Sequence, residues 1–406
     1  MNVVDWLSTL PPTRGSLPCN RANEGLTIAP ALNSARGVRR WDIHASPQFS
    51  YPMQNSWPSF VACLLSGLLL TTLSCQQAQR KSGVGPVRIG ISFDSLQLER
   101  WQHDRDQFVK RAKELGAEVV IQAADGNDAA QVRQAENLLT QGIDVLVLVP
   151  HNAEIAASIV ESAKRGNIPV LAYDRLTRDS DVDFYISFDN VKVGELQAKY
   201  LLDRVPKGNY LLIGGSPTDN NARMFREGQM NMLKPALARG DVSIVADPWA
   251  SDWLPSEALR ETEDALTHAQ NNVAAVVASN DSTAGGAIQA LEERGMAGKV
   301  LVSGQDADLA GCQRIIAGTQ AMTVYKPIAP LANQAAELAV ALARHEPIPA
   351  NGKVNNGFKD VPALLLDPLV VDKGNIDSTV IRDGFVRLQD VYRNIPKSQW
   401  PKAETK

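Results

Sequence analysis

Charged, amide and tryptophan residues recur where the chain leaves its short apolar runs. Asp94 and then Glu99-Arg100-Trp101 follow the first run, His151-Asn152 a later one, and Asp174-Arg175 the next. Further along come Asp219-Asn220-Asn221, then Asp247 with Trp249 and Trp253, then Asn280-Asp281, Gln305-Asp306 and Lys326. A carboxylate accepts hydrogen bonds, Arg and Lys donate them, and an amide does both. Tryptophan adds a broad apolar face. That inventory suits a neutral, polyhydroxylated ligand, whose hydroxyls meet the polar groups while a C–H face lies on an indole. A charged ligand would need an imbalance, and here Asp174, Asp219 and Asp306 offset Arg100, Arg175 and Lys326. Any one Asp or Asn could simply cap a helix. The argument rests on their repetition at the same place in successive units.

Other chemistries lack their residues. Cys19, Cys63, Cys75 and Cys312 show no CxxC spacing, so neither a zinc site nor a disulfide framework is expected. The histidines, His44, His103, His151, His268 and His345, are scattered. Gly214-Gly215-Ser216-Pro217 follows a strand, but no GxGxxG, GxxxxGK[ST] or GxSxG occurs. Asp125-Gly126-Asn127-Asp128 faintly resembles a calcium loop, without its sixth-position Gly or twelfth-position Glu. Asp128 with Gln131 three residues on reads instead as a capping box. No metal, cofactor or catalytic nucleophile is therefore expected. Asp174 and Asp219 could form a carboxylate pair for glycoside hydrolysis. Arg175 and the surrounding amides point instead to ionised acceptors, so binding without turnover is the expectation.

The elements that must position these residues alternate. Val87–Phe93, Ala117–Ala123, Ile143–Pro150, Pro169–Asp174 and Asp183–Phe188 read as strands, with helices over 99–115, 128–141 and 153–165. Ile143–Pro150 is almost continuously apolar, as a central parallel strand buried on both faces should be. A second cycle has strands at 210–213, 242–246, 273–278 and 300–303, with helices near 190–204, 221–237, 255–269 and 282–294. A helix over 327–345 and a strand over 364–371 follow. The fold class predicted is α/β, with two doubly wound parallel-sheet lobes. Ligands of such sheets bind beyond the carboxyl ends of the strands, where the polar residues collect. The chain's 406 residues allow two or three domains. Its formal charge of −4 gives no reason to expect a nucleic-acid partner.

Residues 1–86 differ in kind. Residues 1–52 lack periodicity and read as an N-terminal extension outside the folded protein. Phe60–Leu70 is an apolar run too short for a membrane span but of signal-peptide length. Counted from Met53 its position is right, so 53–75 is expected to be a signal peptide. Leu73-Ser74-Cys75 resembles a lipoprotein cleavage box, with Cys75 the lipidated residue and a possible membrane anchor. Thr72 departs from the aliphatic residue usual there, and no Lys or Arg lies between Met53 and Phe60. Residues 76–85 read as a linker and 396–406 as a tail.

From Val87 to Asn394 the chain resembles the bacterial periplasmic sugar-binding proteins of ABC importers, of the ribose-binding-like class. The segments that carry this are LERWQ (98–102), LAYDR (171–175), DFYISFDN (183–190), VGELQAK (193–199), GGSPTDNNA (214–222), VVASND (276–281), TAGGAIQAL (283–291), SGQDADLAG (303–311) and MTVYKPI (322–328). They favour the branch that takes D-xylose. The resemblance implies a type I periplasmic binding fold with a three-segment hinge, a sugar in the cleft, and delivery to a membrane permease. It implies one lobe of 86–190 plus 327–365 and another of 191–326 plus 366–395. It implies sugar contacts at Arg100, Asp174, Arg175, Asp219, Asn221, Trp253, Asn280, Asp306 and Lys326, with Trp101 a second ring. The protein is expected to be a monomer in the periplasm or otherwise outside the cytoplasm. A sugar-responsive transcription regulator would need a helix-turn-helix before Val87, where a secretion signal stands instead. A chemotaxis or signalling receptor is the alternative left open.

Overall fold

The computed structural model describes residues 85–401. The extension, the signal peptide, Cys75, almost all of the 76–85 linker and the end of the tail lie outside the described residues.

Two parallel sheets form among the described residues, each built from short apolar runs. The first has seven strands in the order β11-β12-β5-β4-β3-β1-β2. They are β1 (Arg88–Phe93), β2 (Glu118–Ala123), β3 (Val145–Leu148), β4 (Val170–Tyr173), β5 (Phe184–Phe188), β11 (Gly352–Asn355) and β12 (Asp360–Leu366). All pair in parallel except β11, an antiparallel edge. The run at 143–150 becomes β3, flanked by β1 and β4 and wholly buried. Helices α1 (Glu99–Glu114) and α9 (Ile328–Ala343) cover one face, around Phe108, Tyr173 and Leu331. Helices α2 (Asp128–Thr140) and α3 (Ala157–Arg165) cover the other, around Leu138, Leu146 and Ile159.

The second sheet has four parallel strands in the order β7-β6-β8-β9: β6 (Gly208–Ile213), β7 (Val242–Ala246), β8 (Ala275–Ala278) and β9 (Leu301–Val302). Helices α4 (Asn190–Leu202) and α5 (Asn220–Ala238) pack on one face against Tyr210. Helices α6 (Pro255–His268) and α7 (Asp281–Glu293) pack on the other against Val276. In both sheets the first strand of the cycle lies inside the second, so strand order reverses beside β1 and beside β6. Such a switch point leaves a crevice at the carboxyl ends of the strands.

Four local expectations are corrected. The single strand expected at 364–371 is two, β12 and β13 (Leu369–Val371), in different sheets. Pro368 between them has no N–H for a ladder, and there the chain leaves β12 to pair antiparallel with β10 (Thr323–Tyr325). The β11–β12 hairpin was not expected, because β11 is polar and half exposed. Nor was α8 (Leu309–Ala317), a short helix whose Cys312 and Ile316 pack on Val371 and Tyr392. The α2 cap is shifted by one residue. Asn127, not Asp128, is the N-cap, its side chain accepting from the Ala130 N–H at 2.8 Å. This frees the Asp128 carboxylate, while buried Gln131 donates to the Val149 carbonyl at 2.8 Å. The chain changes sheet between β5 and α4, between β10 and α9, and between β12 and β13.

Candidate functional site

All ten predicted site residues line one cavity of about 260 Å³, between the carboxyl ends of the two sheets. None is more than 7% exposed. Arg100 and Trp101 open α1 just beyond β1, and Asp174-Arg175 leave β4. From the other side come Asp219 and Asn221 after β6, Trp253 after β7, Asn280 after β8, Asp306 after β9 and Lys326 after β10.

Charge alternates through it. Arg100 donates to Asp174 at 2.8 Å, to Asp306 at 3.3 Å and to Asp104 at 3.3 Å. Arg175 faces Asp94 at 2.5 Å and Asp219 at 2.7 Å. Lys326 Nζ lies 3.2 Å from Asp306 and 3.8 Å from Asp174. Burial opposes ionisation of Asp174, but Arg100, Lys326 and Arg175 outweigh it and hold the carboxyl below its usual range. Burial pushes the Asp104 carboxyl up despite Arg100 and the Tyr173 hydroxyl. Burial likewise raises Asp219, in spite of Arg175. Cationic and anionic side chains are thus fixed against each other in advance, and a ligand meets them as donors and acceptors with geometry already set.

The helix-cap reading and the site reading both hold, on different atoms of the same residues. Asp219 caps α5 through Oδ1, which accepts from the Asn221 N–H at 2.8 Å. Its Oδ2 accepts from the Trp253 indole at 3.2 Å. Asn280 caps α7 through Oδ1, accepting from the Thr283 N–H at 2.8 Å in a capping box, which leaves its NH₂ for the cavity. Asn221 donates both to the Asp174 carbonyl at 3.0 Å and to its carboxylate at 3.1 Å. Asp174 has φ +59° and Asp306 φ +91°, a region that Asp tolerates better than most residues. Hydrogen bonds from Tyr185 and Ser187 to the Asp174 carbonyl hold that turn at 2.8 and 2.7 Å.

The two rings differ in their surroundings. Trp253 packs edge-on against Phe225, with centroids 6.2 Å apart. Trp101 lies beneath two guanidiniums, with Arg100 at 4.3 Å and Arg175 at 5.3 Å from its centroid. Its indole Nε1 is buried without a partner among the described residues. A hydroxyl oxygen reaching it would satisfy that donor.

Sequence reasoning missed Leu98, Phe225 and Gln305 in the lining. Gln305 stood beside Asp306 in the polar run, and its buried Oε1 has no partner among the described residues. Leu98 and Phe225 are apolar, and nothing in their spacing separates them from core residues. Asp94 was noted at the end of β1 and Asp104 was not; both pair with the site's arginines. The i,i+4 spacing of Arg100 and Asp104 on α1 was the available signal.

Residues 89–347 match the family described as "Periplasmic binding protein domain". The chain is 56% identical over 322 residues to the D-xylose-binding periplasmic protein of Escherichia coli, covering 79% of this chain and 96% of that one. It is also 56% identical over 306 residues to the protein of the same name in Haemophilus influenzae, covering 75% and 92%. Among solved structures, a carbohydrate transporter solute-binding protein from Chloroflexus aurantiacus, in complex with D-glucose, superposes with a TM-score of 0.72. It is 31% identical, covering 76% of this chain and 98% of that one.

Proposed function

This chain belongs to the periplasmic binding protein family, and from that premise we propose that it captures D-xylose between its lobes and delivers it to an ABC importer. The relatives at 56% identity are named for D-xylose. The observation that carries the reading is the shared cavity, to which the first lobe brings ionised groups and an indole, and the second ionised groups, an indole and amides. Arg100, Trp101, Asp174, Arg175, Asp219, Asn221, Trp253, Asn280, Asp306 and Lys326 are the proposed sugar contacts. A pentopyranose offers several hydroxyls that both donate and accept. Each one left unpaired in a buried site costs about 1–3 kcal/mol. A ring epimer misplaces one hydroxyl, and a hexose must also seat a hydroxymethyl arm.

Capture works by closure. The sugar touches residues of both lobes, so it binds the closed arrangement better than the open one and draws the hinge shut. The moving bodies are 86–190 with 327–365, and 191–326 with 366–395. The closed face then presents both lobes to the permease. The sugar leaves unchanged: Asp174, Asp219 and Asp306 are each paired with a cation, an arrangement of fixed acceptors. Export from Met53 with cleavage at Cys75, and lipidation there, belong to the same reading. Mass spectrometry of the mature N-terminus tests them.

Calorimetric titration of the purified protein with D-xylose, D-glucose, D-ribose and L-arabinose tests the function. One-to-one binding with D-xylose tightest is expected, and a folded protein that binds none of them would sink the assignment.

Gly215 makes a narrower test. A Cβ there would overlap the Trp253 ring. Gly215→Ala is expected to displace the indole and weaken D-xylose binding roughly two- to tenfold, the scale of one aromatic contact. Unchanged affinity would show that Trp253 does not need that seat.

A further inference from the structure

We propose that His151 is a proton-operated latch across the mouth of the cleft, closing the two lobes on the sugar more firmly when its imidazole is protonated. The inference rests on the sugar-capture reading above.

His151 follows β3 in the first lobe. Its Nδ1 lies 2.7 Å from the Asp128 carboxylate on α2 of the same lobe. Its Nε2 lies 3.1 Å from the Asp252 carboxylate, on the short turn after β7 in the other lobe. A neutral imidazole has one N–H, so one of these contacts would set a ring lone pair against a carboxylate oxygen. An imidazolium donates from both nitrogens and satisfies both. The geometry therefore fits the protonated ring.

The backbone holds the ring in place. The His151 N–H donates to Gln131 Oε1 at 2.9 Å, and its carbonyl accepts from the Thr218 hydroxyl of the other lobe at 3.3 Å. Asp94, also at this mouth, reinforces the cation. Asp94 and Asp125 line the same opening, as does Arg175, whose guanidinium pairs with Asp94 and Asp219. Burial lowers the proton affinity of His151, but Asp128 and Asp252 outweigh it and raise its pKa.

Opening the hinge would part His151 from Asp252 and leave Asp128 behind, because Asp128 shares its lobe. The ring then holds its proton more weakly in the open form. By linkage, protons favour the closed form. The sign follows: closure is supported below the raised closed-state pKa and loses that support as pH rises through it. Among the described residues, the other histidine near the interface is His103, on α1. It pairs with Glu99, whose carboxylate accepts from the Leu309 N–H across the cleft. The test must separate the two.

D-xylose affinity of the full-length protein is measured at pH 6 and pH 8, at constant ionic strength, for the wild type, Asp252→Asn, His151→Asn and His103→Asn. The wild type is expected to bind about two- to fivefold tighter at pH 6, the scale of one partly exposed ion pair. Asp252→Asn and His151→Asn lose this difference, and His103→Asn keeps it. A histidine resonance absent from His151→Asn should also titrate at higher pH with sugar bound than without. A pH-independent wild type, or a dependence that survives Asp252→Asn, overturns the latch while leaving sugar capture standing. Absence of sugar binding at both pH values overturns the capture reading, and the latch with it.

Discussion

Asp306→Ala is expected to weaken D-xylose binding by about a hundred- to several-thousandfold. The Asp306 carboxylate faces Arg100 at 3.3 Å and Lys326 at 3.2 Å, and all three side chains are buried. Its removal leaves Arg100 with Asp104 and Asp174, but leaves Lys326 with Asp174 alone, which it approaches only to 3.8 Å. Breaking a buried ion pair from one side costs about 3–5 kcal/mol, because the remaining charge stays desolvated. At about 1.4 kcal/mol per factor of ten, this gives the stated range. The penalty falls on the closed, sugar-bound state, since opening the cleft would let water reach the stranded charges. Thermal stability without sugar should therefore change much less than affinity. Asp306 also has φ +91°, which alanine adopts poorly and asparagine better. Asp306→Asn separates the two effects: a comparable loss there assigns it to the charge, and a much smaller loss assigns it to the backbone. Calorimetric titration of both variants gives the answer. Wild-type affinity in Asp306→Ala would remove Asp306 from the ligand set.

Gly228→Ala is expected to destabilise the second lobe by about 3 kcal/mol or more, the upper end of overpacking costs. For a lobe of this size that is roughly 6–12 °C of melting temperature. Gly228 lies on α5 and Gly194 on α4, where the two helices pack with backbones almost in contact. A Cβ on Gly228 would overlap the Val191 carbonyl, and one on Gly194 the Phe225 carbonyl. The obstacles are main-chain atoms, so no rotamer change relieves them and the helices must separate. The sign makes the test sharp. On an open helix surface the same change would stabilise by about 1 kcal/mol through helix propensity. A melting temperature that rises in Gly228→Ala would show that the helices can part at little cost. A fall confirms that the glycines set the distance from which Asn221, at the start of α5, reaches Asp174.

Much of this protein can be read before it folds. Alternating β-branched runs and 3.6-residue periods specify the order of β1 to β9 and the helices between them, because each strand here is apolar enough to be recognised alone. The carboxyl ends of those strands already hold Asp174-Arg175, Asp219, Asn280 and Asp306. Their meeting in one cavity follows from parallel sheets presenting the same ends to each other. The extended family resemblance narrowed a longer run of residues to ten that line the cavity, leaving out Gln305, which lines it too.

Tertiary structure decided the rest, for reasons local sequence does not contain. Leu98 and Phe225 have the composition of core residues, and only the approach of the lobes makes them walls. The split at Asp367-Pro368 depends on which partner strand each half finds, β5 in the seven-stranded sheet and β10 in a separate two-stranded pair. The second role of the caps, with Asp219 holding a helix by one oxygen and Trp253 by the other, exists only once the turn after β7 arrives. The same holds for His151. Its two carboxylates lie 23 residues before it and 101 after it in the sequence, and no local pattern joins them. Short-range periodicity determines elements, because a hydrophobic face must be buried wherever it arises. Pairings between distant residues are determined by how those faces pack, and that is settled only in three dimensions.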